Sequence, residues 1–417
     1  MTSAISLFSS AGIGDLAFKR KNIDVLIANE LLDDRCDIFE ENFPQTEMIR
    51  GSVWDKQNEI IKSTLNKIGN KKLNYALVTP PCQGMSKNGR GKLLSEVKKG
   101  NRPKIDDRNL LIIPALNILE EVKPETIIFE NVSEMINTVI PYNDTFIDIV
   151  SLIKERLSDY YVEEKILNFS DYGIPQNRLR LITIATKKNS HLKYLDSHDS
   201  IFPEATHSKD NKLGTERWKT VRDTIENLEP LDGKTKTNSK KESLHFVSKL
   251  EDKKYNWVSN TPEGKSAFSN QCIECGFNEN PDHTAKRDNL GVNRASDKTP
   301  LYCIKCDALL PRPYVEVGNH KRIMKGFTSA YKRMKWDEPA SAITTNFPYV
   351  SSDNKIHPSQ HRALSVLEAI LLQDIKLNEY SFIRNGKKPN FITIRESIGE
   401  SVPPTIIEIL LNNLEDI

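Results

Sequence analysis

Pro80-Pro81-Cys82-Gln83 sets a cysteine on a rigid turn directly after the strand-like run 75–79. Each proline fixes its own φ and biases the residue before it away from helix, so the sulfur leaves the strand in a nearly predetermined direction. A second strand-like run, 126–129, ends in Glu130-Asn131-Val132. Ligands of open α/β sheets collect outside such carboxyl ends, where a thiolate and a proton-donating carboxyl can converge on one substrate and support covalent catalysis. A free cysteine is more often a small buried hydrophobe, and Glu130 alone would read as a surface carboxylate. The weight of the pair comes from its surroundings.

The elements that must position it are legible as runs. Ile5-Ser6-Leu7-Phe8 reads as a first strand, followed by the small-residue turn Ser9-Ser10-Ala11-Gly12-Ile13-Gly14, whose backbone amides can approach a ligand closely. The run 25–29 then delivers Glu30, a carboxylate placed to accept hydrogen bonds from ribose hydroxyls. Together these read as a nucleoside-cofactor crevice. Strand-like runs at 5–8, 25–28, 48–50, 75–78, 126–129, 162–167 and 180–186 alternate with longer polar-apolar stretches, the pattern of a doubly wound, Rossmann-like α/β sheet. At the end of the chain, Ile406, Ile407, Leu410, Leu411 and Leu414 recur at helical spacing, and Thr405 with Glu408 predicts a capping box.

In this order the motifs resemble those of the cytosine-5 DNA methyltransferase family. Phe8-Ser9-Ser10-Ala11-Gly12 looks like its first S-adenosylmethionine motif, Pro81-Cys82-Gln83 like its nucleophile motif and Glu130-Asn131-Val132 like its acid motif. Gln176-Asn177-Arg178-Leu179-Arg180 is similar to the family's Gln-x-Arg-x-Arg. His357-Pro358, Arg362-Ala363-Leu364-Ser365, Glu368 and Gln373 resemble the segment after the recognition region, and Gly399-Glu400-Ser401-Val402-Pro403-Pro404 the closing motif. The resemblance implies a methyltransferase sheet with a smaller target-recognition domain. It implies catalytic roles for Cys82, Glu130, Arg178 and Arg180, and cofactor contacts from Phe8, Ala11, Gly12, Ile13, Glu30, Leu31, Pro81, Ser401 and Val402. Three positions depart from the pattern: Ser10 replaces the usual glycine, Ser52 an aspartate that commonly contacts the adenine, and Glu400 an asparagine. Asp55 is a candidate substitute for the missing aspartate.

Past residue 230 the composition shifts to a Lys-, Ser- and Thr-rich connector. Beyond it, Cys272-Ile273-Glu274-Cys275 and Cys303-Ile304-Lys305-Cys306 use four of the six cysteines. Two such pairs supply the four thiolates of a closed, structural zinc site, and a cytosolic setting favours metal over disulfides. A redox role is the competitor for either pair alone. His283, beside Asp282, reads as a solvated loop residue and is left out of the ligand set. Around the knuckles lie Lys286, Arg287, Arg294, Lys298, Lys305, Arg312, Lys321, Arg322, Lys325, Lys332 and Arg333, with Tyr302, Tyr314, Phe327 and Tyr331 interleaved. Such groups can hold phosphates and read base edges, which points to a target-recognition domain. The domain reading is a catalytic domain over 1–230, recognition domain over 231–350, a returning segment over 351–394 and a terminal helix over 395–417.

With net charge +2 over 417 residues, the chain is no polycation, and DNA affinity must come from local patches. A second patch lies between Gln83 and Arg108, where Lys87, Arg90, Lys92, Lys98, Lys99, Arg102, Lys104 and Arg108 face only three acids. Next to a nucleophile it reads as a lid over the phosphate backbone rather than an ordinary solvated loop. No apolar run is long enough to span a bilayer. The expected setting is the bacterial cytosol, nucleoid-associated when bound to DNA, with a monomer acting on double-stranded DNA beside a separate restriction endonuclease.

The implied reaction follows from the weak nucleophilicity of cytosine carbon 5. Cys82 adds to carbon 6, Glu130 protonates or hydrogen-bonds nitrogen 3, and carbon 5 takes the sulfonium methyl of S-adenosylmethionine. Loss of the carbon-5 proton expels the thiolate. The base must first be flipped from the duplex, with Asn131 and the lid as candidate helpers. An RNA cytosine methyltransferase shares the catalytic set, a nicotinamide oxidoreductase shares the glycine turn and Glu30, and a zinc-dependent DNA-binding protein with an inactive catalytic domain is the non-enzyme alternative. The zinc-bearing insertion and the intact cysteine–acid pair favour the DNA enzyme.

Overall fold

A computed structural model describes residues 2–81, 106–287, 293–295, 299–324, 329–383, 386–387 and 389–417. Cys82 and the basic segment after it, up to residue 105, lie outside the described residues. So do Lys298, Lys325 and Phe327.

The chain divides into two compact units. The first comprises Met1–Ile174, Arg178–Arg217 and Asp374–Ile417, the second Pro175–Asn177 and Trp218–Gln373. The division falls at Trp218, ahead of the compositional shift at 230.

The first unit is built on a seven-stranded sheet: β1 (Ser3–Leu7), β2 (Asp24–Glu30), β3 (Glu47–Arg50), β4 (Tyr75–Val78), β5 (Thr126–Val132), β6 (Tyr161–Asn168) and β7 (Leu179–Thr186). Their spatial order is β3-β2-β1-β4-β5-β7-β6. The first five pair in parallel, whereas β7 runs antiparallel to both β5 and β6, so the sheet is mixed. The order reverses between β1 and β4, which opens a crevice at their carboxyl ends.

Side chains alternate across the sheet. Ile5 and Leu7 of β1 join Ile27, Ala76, Val78, Ile127 and Phe129 in a core shared with Ile60 of α3 (Val53–Ile68) and Leu116 and Leu119 of α4 (Ile112–Val122). Ser6, between them, therefore faces the opposite side. The terminal helix Pro404–Asp416 packs against the short α1 (Leu16–Arg20) and buries Ile406, Ile407, Leu410, Leu411 and Leu414, the predicted stripe.

The predicted capping box does not form. The helix starts with Pro404, whose missing N–H suits a first-turn position. Thr405 donates instead to Asp374 Oδ2 at 2.6 Å, and Glu408 accepts from Arg20 Nη1 at 2.8 Å. Both side chains that would have capped the helix anchor it to its own unit.

The second unit holds a separate core around Trp257, Phe268, Tyr331 and Ile356. Within it, Arg362 grips Glu368 with both Nη atoms at 2.7 and 2.6 Å, and Glu368 closes a capping box with Ser365 at the start of the helix Val366–Leu372. Gln176 Nε2 donates to Leu372 O and Gln373 Oε1, joining the segments that resemble family motifs by buried hydrogen bonds. Among the described residues no helix is long and apolar enough to cross a membrane.

Candidate active site

The turn after β1 is folded by backbone conformations that few side chains adopt. Phe8, Ser10 and Gly12 have φ of 61°, 48° and 78°. A Cβ on Gly12 would lie 2.7 Å from the Phe39 ring, so glycine is required there by φ and by space. Ser10 occupies a position whose positive φ explains why a glycine suits it.

Glu30, at the end of β2, holds this turn. Its Oε2 accepts from Ser10 N at 2.9 Å, and Oε1 accepts from Leu31 N and Leu32 N at 2.8 and 2.9 Å. Leu31 is 62% exposed beside it, an apolar surface next to the crevice. Ser52 caps α3, accepting from Trp54 N at 3.3 Å, and Asp55 one turn on is exposed. Ala11, Ile13, Ser401 and Val402 are buried. Val402 lies 3.8 Å from where a Cβ on Gly14 would be, so the closing motif packs on the turn. These residues fit a nucleoside cofactor with a methionine tail: a permissive turn, a terminal carboxylate and an apolar flank.

Beneath the turn is an unforeseen polar group. Asp15 follows Gly14, is 1% exposed, and has one carboxyl oxygen without a hydrogen-bond partner. Burial pushes the Asp15 carboxyl up to about 7, partly offset by the Ser6 hydroxyl beside it.

The turns after β1 and β4 are stitched together. Thr79 N donates to Leu7 O at 3.2 Å and Thr79 Oγ1 to Phe8 O at 3.0 Å. Next along the chain, the buried Pro80 carbonyl accepts from Asn131 Nδ2 at 3.1 Å, while Asn131 Oδ1 accepts from Val132 N at 2.8 Å. The Pro80-Pro81 turn that leads into Cys82 is thus held to the residue following Glu130.

Glu130 is buried, and Arg180 Nε from β7 lies 3.0 Å from its Oε1. That is an ion-pair distance without hydrogen-bond alignment, and Oε1 has no hydrogen-bond donor among the described residues. The carboxyl is oriented by charge and retains acceptor capacity. Arg178 is placed differently: it is buried and donates from Nη2 to Ser401 O at 2.9 Å, so it ties the Gln-x-Arg-x-Arg segment to the closing motif. Arg35 bridges Asp34 and Glu396 at 2.8 Å each and approaches Glu400 at 3.5 Å, which gives the acid found in the closing motif a cationic partner.

In the second unit the four cysteines of the two pairs converge, their sulfurs all within 4.8 Å of one another. The separations Cys272–Cys306, Cys272–Cys275 and Cys275–Cys303 are 3.6, 3.6 and 3.8 Å. Tetrahedral zinc with about 2.3 Å bonds to sulfur spaces its ligands about 3.8 Å apart. The two halves fold alike. Cys272 N donates to Phe277 O and Cys303 N to Ala308 O, with Gly276 and Asp307 at positive φ in the equivalent place.

Two expectations for this region change. His283 is not simply solvated: it stacks on Phe268 at 4.6 Å between centroids and bonds Thr299 through Nδ1. Arg312 and Arg333 are interior struts, not members of a basic surface. Arg312 donates to the carbonyls of Asn270, Pro281 and Pro300, and Arg333 to those of Val258, Thr261, His357 and Gln360. Tyr331 is likewise buried.

The profile of the family described as C-5 cytosine-specific DNA methylase matches residues 2–416. The chain belongs to this family. As a C-5 cytosine DNA methylase it uses S-adenosylmethionine as methyl donor. It is 28% identical to the Type II methyltransferase M1.HgaI of Avibacterium volantium over 97% of this chain and 95% of that one. It is 24% identical to the Type II methyltransferase M1.HphI of Haemophilus parahaemolyticus over 97% and 84%. The crystal structure of the Schizosaccharomyces pombe Dnmt2 methyltransferase superposes with a TM-score of 0.55, covering 100% of this methylase and 99% of that chain at 12% identity, a likeness of fold.

Proposed function

We propose that this methylase is the modification enzyme of a Type II restriction-modification system, with Cys82 as nucleophile, Glu130 as the acid at nitrogen 3 and Arg180 as the group that orients it. The observation that carries the reading is the pairing of buried Glu130 with half-buried Arg180, one residue from the Asn131 that holds the turn leading into Cys82. Both relatives named above are Type II methyltransferases, matched along nearly the whole of this chain.

S-adenosylmethionine supplies an activated methyl group as a sulfonium. Phe8, Ala11, Gly12, Ile13, Glu30, Leu31, Pro81, Ser401 and Val402 are the residues that would hold it. Cys82 adds to carbon 6 of a flipped-out cytosine in duplex DNA, and the charge that builds on the ring is met at nitrogen 3 by Glu130. Arg180 pairs with the carboxyl and is the candidate to hold the base's carbonyl oxygen. Once carbon 5 carries the methyl group, its proton passes to solvent, the carbon 5–carbon 6 double bond re-forms and Cys82 leaves as the thiolate. Arg178 braces Ser401 through Nη2.

Cys272, Cys275, Cys303 and Cys306 would hold one structural zinc that shapes a target-recognition region within the second unit. Exposed Lys305, Lys321 and Arg322 are its candidate phosphate contacts. The same reading has the enzyme acting as a monomer in the cytosol, beside a separate endonuclease. Bisulfite sequencing of DNA from cells expressing the chain tests it. Methylation confined to one sequence context is expected, and an unmethylated genome would refute it.

A further inference from the structure

We infer that Asp15 is the counter-charge by which this methylase distinguishes its sulfonium cofactor from the neutral thioether product. The inference rests on reading the turn after β1 as the S-adenosylmethionine site.

Asp15 directly follows that turn, and Ser6, beside it, is the penultimate residue of β1, on the face opposite α3 and α4. One Asp15 oxygen is buried without a hydrogen-bond partner, next to the Ser6 hydroxyl, an unfavourable arrangement just beneath the turn. The charged and titratable groups on the surrounding elements are otherwise engaged. Tyr380 donates its hydroxyl to Ala11 O. On α2 (Asp33–Asn42), Arg35 is taken up by Asp34, Glu396 and Glu400. Arg20 on α1 pairs with Glu379 and Glu408. Glu30 accepts from three backbone amides. Among the described residues no cation pairs with Asp15.

A carboxyl raised to about 7 by burial changes charge readily when a cation arrives nearby. S-adenosylmethionine and its demethylated product share the adenosine, ammonium and carboxylate and differ by the sulfonium charge. Binding of the cation favours ionised Asp15, and by reciprocity ionised Asp15 favours the cation. Once the methyl group has left, that attraction ends, Asp15 takes up a proton, and the product is held less tightly. The sign is fixed: cofactor affinity rises with pH through the neutral range, and product affinity does not.

Titration calorimetry near pH 7 in two buffers of different ionisation enthalpy reads this directly. Binding of S-adenosylmethionine should release part of a proton per site and binding of the product none. Each unit by which binding lowers the Asp15 pKa makes the cofactor bind about tenfold more tightly at high pH than at low pH. Asp15→Asn should abolish the proton release and reduce the preference for cofactor over product. Equal proton exchange for the two ligands in the unaltered protein overturns the inference, even if Asp15→Asn fails to fold. So does a folded Asp15→Asn that keeps the proton release. Failure of both ligands to bind would instead overturn the assignment of the turn.

Discussion

Asn131 Nδ2 donates to the Pro80 carbonyl at 3.1 Å, so the residue after Glu130, the proposed acid, holds the turn that leads to Cys82, the proposed nucleophile. The amide does this from inside the protein, where an orphaned carbonyl costs about 1–3 kcal/mol. Asn131→Ala should lower stability by about that amount. It should also lower turnover more than cofactor affinity, because the Pro80-Pro81 turn loses its strut while the Glu30 crevice does not. Thermal unfolding with cofactor titration checks this, and unchanged turnover would assign Asn131 no positioning role.

Glu130→Gln keeps the shape beside Arg180 but cannot donate a carboxyl proton. DNA affinity should persist while turnover falls by on the order of a hundredfold or more. Single-turnover methyl transfer with a DNA-binding assay separates the two effects. A loss confined to DNA binding would make Glu130 a contact residue.

The zinc reading predicts about one zinc per chain by elemental analysis. Cys303→Ser should loosen the recognition region and abolish sequence-specific DNA binding, while S-adenosylmethionine still binds. Metal-free protein that methylates the same sites at full rate would contradict it.

Acid should act on the second unit through Glu368 and His357. Burial alone would raise Glu368, but Arg362 outweighs it and brings the carboxyl down to about 2; burial brings His357 down to about 3. Both folded values lie below the ordinary ones of 4.5 and 6.5. The unfolded chain therefore binds protons first, and the stability these groups confer is complete above about pH 6.5 and lost progressively toward pH 2. Glu368→Gln strands Arg362 without a counter-charge and should cost about 3–5 kcal/mol at neutral pH. Unfolding midpoints across this pH range, for parent and variant, measure both effects.

The parallel core of the fold was readable because each strand is a short apolar run ended by turn residues, as at Ile5-Ser6-Leu7-Phe8 before Ser9. The acid motif likewise pointed to Glu130, and the spacing of the two cysteine pairs to one shared site. Other features depend on partners distant in sequence. Thr405 and Glu408 fit a capping box locally, yet Asp374 and Arg20 claim them. Arg312 and Arg333 read as surface charge, because composition does not reveal the carbonyls that surround them. The division between Arg178 and Arg180 is also invisible in a motif, since it turns on which neighbour each guanidinium meets. Asp15 carried one signal, an acid directly after the glycine turn, that its burial makes meaningful.

The central claim is that Cys82 adds to carbon 6 of the target cytosine with Glu130 assisting. Duplex DNA carrying 5-fluorocytosine tests it most directly, because fluorine cannot leave as the carbon-5 proton does. Incubated with S-adenosylmethionine, the parent protein should form a denaturation-resistant DNA adduct, Glu130→Gln should form it far more slowly, and Cys82→Ala should form none. An adduct of equal yield with Cys82→Ala would contradict the assignment of the nucleophile.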